Sequence, residues 1–129
     1  MDSWAKEELQ YADLGDARRN RRLVKIVSDL VAQPNSSVPQ ASGNWAATQG
    51  AYDFWGNPRV KADDIRKAHQ CSTIYRVEQQ QVVLAVQDTT ELNFTHHPGK
   101  KGMGYLDSSK SRGLKVHSTS AVSAVRECH

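Results

Sequence analysis

The chain has 129 residues, of which 38% are hydrophobic and 24% are charged, and its mean hydropathy is -0.66. This composition allows one domain with a modest core, or a small domain joined to a piece of another, and it excludes a membrane span, which needs roughly 18 apolar residues in a row. The N-terminus lacks the basic and apolar segments of a secretory signal, so the sequence predicts a cytoplasmic protein. The formal net charge is only +3, which makes the distribution of charge more informative than its total.

A weak helix is predicted over residues 2–12, and the clearest helix follows over residues 17–32, with Asp16 as its N-cap. Apolar side chains recur along the second helix at the spacing of one buried face. They are Leu23, Ile26, Val27, Leu30 and Val31. Another face of the same helix is basic, because residues 18–25 hold five of the 17 lysines and arginines and no acid.

The basic face has two interpretations that the residues alone leave open. Arg18, Arg19, Arg22 and Lys25 can lie along a phosphate backbone, and arginine can also bind a guanine edge with two hydrogen bonds. The alternative is a solvated helix face whose charge is balanced by acids elsewhere in the fold.

Two further helices are predicted after a polar loop that contains Pro34 and Pro39. The first covers residues 44–56, with Ser42 or Asn44 as its N-cap, and the second covers residues 61–77. In the first of these helices Trp45 and Trp55 are interpreted as core residues, since large aromatic side chains usually contribute to a core.

Beyond residue 81 the periodicity changes from helical to extended. The five apolar residues at 82–86 predict a strand, residues 82–87, that is buried on both faces and ends at Asp88. Asp88 is then either a metal ligand at the end of a buried strand or the cap of a turn through the amides of Thr89 and Thr90.

A short strand over residues 91–94, a loop rich in Gly, Lys and Ser over residues 95–113, and an alternating strand over residues 114–125 follow. His117 in the last strand is expected to be a packed histidine. The fold class is therefore α+β, with a helical domain at residues 1–78 and a sheet at residues 79–129.

Five blocks of the sequence, in order and at similar spacing, resemble the N-terminal part of Tn5-like, IS4-type DDE transposases. The first is Leu-Gly-Asp-Ala-Arg-Arg-Asn-Arg-Arg-Leu at residues 14–23, and the second is Gln-Gly-Ala-Tyr-Asp-Phe-Trp-Gly-Asn-Pro at residues 49–58. The remaining three are Ile-Arg-Lys-Ala at 65–68, Leu-Ala-Val-Gln-Asp-Thr-Thr at 84–90 and Lys-Ser-Arg-Gly-Leu-Lys-Val-His-Ser at 110–118.

The resemblance implies a helical domain that binds transposon-end DNA, followed by an RNase H-like domain whose first strand carries the first Asp of a D-D-E triad. Arg18, Arg19 and Arg22 match the basic motif of the family, Tyr52 and Asn57 match positions near the DNA, and Asp88 matches the catalytic and metal-binding Asp. Such enzymes use Mg²⁺ or Mn²⁺ and work as dimers on paired double-stranded DNA ends. A bacterial, nucleoid-associated protein is implied with them.

The second Asp and the Glu of the triad have no counterpart in this sequence, so the resemblance predicts a truncated RNase H-like domain and DNA binding without strand cleavage. A regulatory fragment is the main alternative, one that inhibits a full-length transposase by binding ends or by dimerising with it. An inert remnant, an orphan helical domain and a nuclease completed by another chain also remain open.

Overall fold

A computed structural model describes residues 2–124, and the chain divides between Glu78 and Gln79 into two compact units. Five helices make up the first unit, and three strands make up the second, which confirms the predicted α+β class. The helices are α1 (Asp2–Glu8), α2 (Ala17–Ala32), α3 (Val38–Ser42), α4 (Trp45–Gly56) and α5 (Ala62–Glu78). The strands are β1 (Val83–Asn93), β2 (Gly104–Tyr105) and β3 (Arg112–Ser123).

Helix α2 begins and ends where the sequence predicts. The side chain of Asp16 accepts a hydrogen bond of 2.8 Å from the amide of Arg18, so the predicted N-cap is confirmed. Leu23 and Ile26 are buried, as the apolar stripe requires, but Val31 is 54% exposed. The prediction for Val31 is wrong because the last turn of α2 packs against the core through Leu30, which leaves Val31 outside.

Helix α3 occupies part of the segment predicted as a loop. Ser37 and Gln40 form a reciprocal capping box, and Pro39 lies in the first turn, where its missing N–H costs no hydrogen bond. Gly43, at φ +83°, then ends the helix in the left-handed conformation that glycine adopts without strain. The prediction treated Pro39 as a helix breaker, whereas at this position proline favours a helix start.

Of the two residues predicted as the cap of α4, Ser42 and Asn44, the structure has Asn44, whose side chain accepts from the amide of Ala47. Its buried face joins side chains from α2 and from the residues after α1 in one core. That core consists of Leu9, Leu14, Leu23, Ile26, Ala51 and Phe54. The assignment of the tryptophans to the core was wrong: Trp45 is 78% exposed and Trp55 is 48% exposed, while the buried residues of α4 are Ala47, Thr48, Ala51 and Phe54.

Helix α5 is held against α1 by hydrogen bonds to Glu8, which is buried. Arg76 donates to the Glu8 carboxylate at 2.6 Å, and His69 Nδ1 lies 2.5 Å from the same group. The hydroxyl of Ser72 donates to the Glu8 carbonyl oxygen at 2.7 Å. The Arg76 hydrogen bond holds the pKa of Glu8 below its usual value, so the carboxylate stays charged and keeps both side-chain partners.

In the second unit β1 and β2 each pair antiparallel with β3, in the order β1-β3-β2. Strand β1 runs through both predicted strands, so Asp88 lies at its middle, opposite Ser118, and not at its end. The expected burial on both faces is also wrong, since Leu84 and Val86 are about half exposed. Residues 79–124 contain three strands and no helix, and nearly every residue of these strands is exposed.

Strand β3 begins two residues before the strand predicted over residues 114–125, and it ends at Ser123. Val125, the last residue of the predicted strand, lies outside the described residues. His117 is exposed on β3, with Nδ1 2.7 Å from the hydroxyl oxygen of Thr89, so the expectation of a packed histidine was wrong. Among residues 2–124, no helix is long and apolar enough to cross a membrane.

Candidate nucleic-acid interface

A groove of about 440 Å³ runs between the start of α2 and the second half of α4. Arg18, Arg19 and Arg22 line it from α2, because residues three and four apart lie on the same face of a helix. Asn57, directly after α4, lines the opposite side. The structure thus brings together four of the six side chains predicted to contact DNA.

Arg18 projects from the first turn of α2, and Asp16 binds its side chain. Its guanidinium pairs with the Asp16 carboxylate at 3.1 Å, while its side chain remains 83% exposed. The hydrogen bond from Arg18 lowers the pKa of Asp16 to about 2. An exposed ion pair of this kind contributes little to stability, so exchanging Asp16 for a phosphate oxygen costs little.

Arg19 is held over the turn that precedes α2. Its Nη1 donates to the carbonyl oxygen of Leu14 at 2.9 Å, beside Gly15, whose φ is +80°. Asn20 fixes the same turn by accepting from the amide of Leu14 at 2.9 Å. A guanidinium has five N–H donors, so this contact positions Arg19 and leaves donors for another acceptor.

Arg22 lies against the backbone of α4 at Gly50. A Cβ added at Gly50 would stand 2.8 Å from Nη1 of Arg22 and 2.9 Å from its Cζ, closer than real contacts allow. The Arg22 guanidinium therefore occupies space beside α4 that a side chain at position 50 would enter, and Gly50 leaves that space open. The sequence prediction assigned no role to Gly50, although a glycine inside a helix indicates a close approach.

Two acids also border the groove and were not predicted there. Asp16 faces Arg18, and the Asp53 carboxylate accepts from the side-chain amide of Gln49 at 2.8 Å. Asn57 closes the end of α4 by donating its backbone N–H to Phe54, and its side-chain oxygen accepts from the amide of Arg59 at 2.9 Å. Three arginines against two carboxylates leave the groove positive, with acceptors as well as donors.

The remaining two predicted DNA contacts lie outside the groove. Lys25 borders a different depression on α2, where its Nζ pairs with Asp29 at 2.8 Å, one helical turn further on. Tyr52 is half exposed on α4 and meets Trp55 edge to face, with ring centroids 5.8 Å apart. Tyr52 and Trp55 thus form a partly exposed aromatic pair on α4.

The groove lies in a segment of the chain that matches a known protein family. Residues 1–60 match the family model described as transposase DNA-binding. The N-terminal part of this chain is a transposase DNA-binding domain. Every residue named in the groove lies within the match, and the resemblance to the N-terminal part of a Tn5-like transposase is confirmed. The chain therefore binds DNA as a transposase-related protein.

Asp88, the predicted catalytic and metal-binding residue, lies outside the matched segment. One of its oxygens accepts from the adjacent amide of Thr89 at 2.9 Å, within a strand and not in the turn that the alternative required. Alternation places Asp88 on the same sheet face as Val86 and Thr90. Within residues 2–124, no three His, Cys, Asp or Glu side chains come together as a metal site.

Proposed function

We propose that the groove between α2 and α4 binds the transposon-end duplex with sequence preference. The observation that carries this proposal is the convergence of Arg18, Arg19, Arg22 and Asn57 on one groove from two helices. Arginine neutralises phosphates and binds guanine, and asparagine binds adenine with two hydrogen bonds, so the groove offers both positioning and base-reading chemistry.

The arginines suit this task because local bonds already orient two of them and a close backbone approach orients the third. Asp16 anchors Arg18, the Leu14 carbonyl anchors Arg19, and the missing Cβ of Gly50 admits Arg22. Side chains ordered before binding lose less conformational entropy when the complex forms, which increases affinity. Lys25 is a weaker candidate, since Asp29 already pairs with it.

The test is charge reversal of the three groove arginines in the full chain. With Arg18→Glu, Arg19→Glu and Arg22→Glu combined, we expect binding of an end-sequence duplex to be lost in fluorescence anisotropy. For the milder triple change to Gln, the dependence of log K on log salt concentration should become shallower by about 2.7, which is roughly 0.9 for each phosphate contact removed.

A matched control reverses three cations that lie on or beside α5, namely Lys61, Arg66 and Lys67. The net charge then changes by the same amount without altering the groove. If this control variant loses DNA as completely as the groove variant, overall charge and not the groove governs binding, and the proposal fails. Scrambled duplex of equal length measures the sequence preference in each case.

We also propose, from the resemblance, that residues 79–129 belong to an RNase H-like catalytic unit with Asp88 as its first carboxylate. Cleavage with Mg²⁺ or Mn²⁺ requires several carboxylates around the metal ions, and the described residues form no cluster of three or more His, Cys, Asp or Glu side chains that could hold a metal. We therefore expect the chain alone not to nick supercoiled DNA. Nicking that needs Mg²⁺ and disappears in Asp88→Asn would contradict this expectation.

A further inference from the structure

The connection between β1 and β3 contains a cationic pocket that the α2–α4 groove does not account for. This connection, residues 94–112, is called the arm below. Its pocket has a volume of about 410 Å³ and is lined by the aromatic ring of Phe94 together with His97, Lys100, Lys101 and Arg112. A concentration of cations around a concave surface indicates a ligand with negative charge.

Backbone hydrogen bonds give the arm a defined shape. The amide of Phe94 donates to the carbonyl of Arg112 at 2.8 Å, which closes the base of the arm next to β3. Two successive turns follow, with His97 donating to Phe94 at 2.9 Å and Lys100 donating to His97 at 3.1 Å. The cations of the pocket are therefore attached to an ordered backbone.

Aromatic rings hold two of these cations in place. The Nζ of Lys100 lies 5.0 Å from the centroid of Phe94, and the guanidinium carbon of Arg112 lies 4.7 Å from that of Tyr105. Arg112 also donates to the Tyr105 hydroxyl at 3.0 Å. A cation over a ring face keeps its charge, so the N–H donors not used by the ring stay available to an anion.

The acids near the arm are already engaged elsewhere. Asp107 is the one carboxylate in residues 94–112, and it pairs with Lys115 at 2.8 Å, beside Glu91. That hydrogen bond keeps the pKa of Asp107 below its usual value, so Lys115 neutralises a permanent negative charge. Within residues 2–124 no ion pair involves Lys100, Lys101 or Arg112.

We propose that the arm pocket is a second phosphate-binding surface, which contacts the backbone of duplex DNA through Lys100, Lys101 and Arg112. The proposal rests on the proposed DNA-binding function and adds a contact from the sheet unit to it. Pocket shape and ring-held cations suit phosphate oxygens, and the pocket presents no carboxylate acceptor for base amino groups. We therefore assign it to affinity and not to sequence preference.

The experiment compares the full chain with its Lys100→Gln, Lys101→Gln variant in DNA-binding titrations over a range of salt concentrations. The salt dependence should become shallower by about 1.8, with a loss of affinity on the order of 10-fold at 0.1 M salt, because two phosphate contacts are removed. The loss should be equal for end-sequence and scrambled duplexes. Lys100→Arg, Lys101→Arg should restore binding, and circular dichroism should show both variants folded.

A double variant with Lys61→Gln and Lys67→Gln provides the control, since it removes the same charge beside and on α5. The proposal is overturned if the arm variant has the salt dependence of the wild-type chain, or if the control variant loses as much affinity. A third outcome also overturns it, in which the arm variant binds DNA as tightly as the wild-type chain but added inorganic phosphate weakens its DNA binding less. The pocket would then bind a small anion and not the DNA backbone. Loss of DNA binding in the arginine variants, together with no effect in the arm, would reject this inference and leave the groove proposal standing.

Discussion

The helical unit and the sheet unit differ in what fixes the positions of their side chains. Residues 2–78 bury apolar side chains from α2, α4 and the segment after α1 around Phe54. In the three strands Gly113 is the buried residue, and the apolar side chains other than the partly buried Val83 are exposed. The helical groove is therefore supported by a core, while the arm pocket depends on backbone hydrogen bonds and ring contacts. Lysine and arginine side chains can therefore be held in position by helices that share a hydrophobic core, or by local backbone hydrogen bonds and ring contacts without a core.

The most severe test of this difference truncates one leucine in each unit. Leu23→Ala removes a 4% exposed side chain and should cost about 2–5 kcal/mol of unfolding free energy, because it leaves a cavity in the core. Leu84→Ala makes the same chemical change at a 52% exposed position of β1, and should cost less than about 1 kcal/mol. Urea denaturation followed by circular dichroism measures both. Equal costs would mean that the sheet face is covered in solution, and the comparison would fail.

A smaller effect is expected where α5 joins α1. Glu8→Gln removes the charge that binds Arg76 and His69, and should cost about 1–2 kcal/mol, at the low end for charged hydrogen bonds because both partners are half exposed. The pKa of Glu8 is lowered by folding, so its contribution is fully present above about pH 4.5 and is lost as the pH falls through the lowered value. The difference in stability between wild type and variant should therefore shrink with acidification.

Glu7→Gln provides the control for that measurement, since Glu7 is exposed on the same helix and makes no hydrogen bond to Arg76 or His69 within the described part of the chain. It should change stability by less than about 0.5 kcal/mol. A pH-independent difference for Glu8→Gln would show that the charge of Glu8 does not fasten α5.

A small change in stability is expected from the substitution that tests how Arg22 is positioned, and it has the opposite sign to the change in binding. Gly50→Ala should stabilise α4 by about 0.5–1 kcal/mol, since alanine is the better helix former. Its Cβ displaces the Arg22 guanidinium, so DNA affinity should fall several-fold. Gly56→Ala, where no atom lies within 4 Å of the added Cβ, should leave binding unchanged.

Double-mutant analysis separates positioning from a direct effect on DNA. If Gly50 acts through Arg22, Gly50→Ala should add no further loss of affinity to Arg22→Ala. Additive losses would mean that the new methyl group blocks the DNA itself. Unchanged affinity in Gly50→Ala would mean that Arg22 binds equally well from a displaced position.

The sequence was sufficient for features that depend on neighbouring residues. Asp16 caps α2 and Asn44 caps α4 because each cap bonds an amide within three residues, and the spacing of Arg18, Arg19 and Arg22 places them on one helix face. The capping box of Ser37 and Gln40 also depends on neighbouring residues, but Pro34 and Pro39 led to the prediction of a loop there. Proline has opposite effects at the start and inside a helix, which composition does not distinguish.

Features that depend on packing between elements were not predicted. Nothing in the sequence pairs Arg22 with Gly50, because that contact exists only once α2 and α4 pack together. Trp45 and Trp55 were expected inside because of their size, yet the buried residues of α4 are the smaller Ala47, Thr48, Ala51 and Phe54. Asp88 was placed at a strand end because the apolar run ends there, while Thr89 and Thr90, which also favour strands, extend β1 beyond it.

The bond from Arg76 to Glu8 has a practical consequence for anyone who transplants this domain into another protein. The family match ends at residue 60, but α5 supplies both side-chain partners of the buried Glu8 carboxylate. A fusion cut at residue 60 would carry an unneutralised acid on its own α1. A fusion should therefore contain the whole 78-residue unit, including α5.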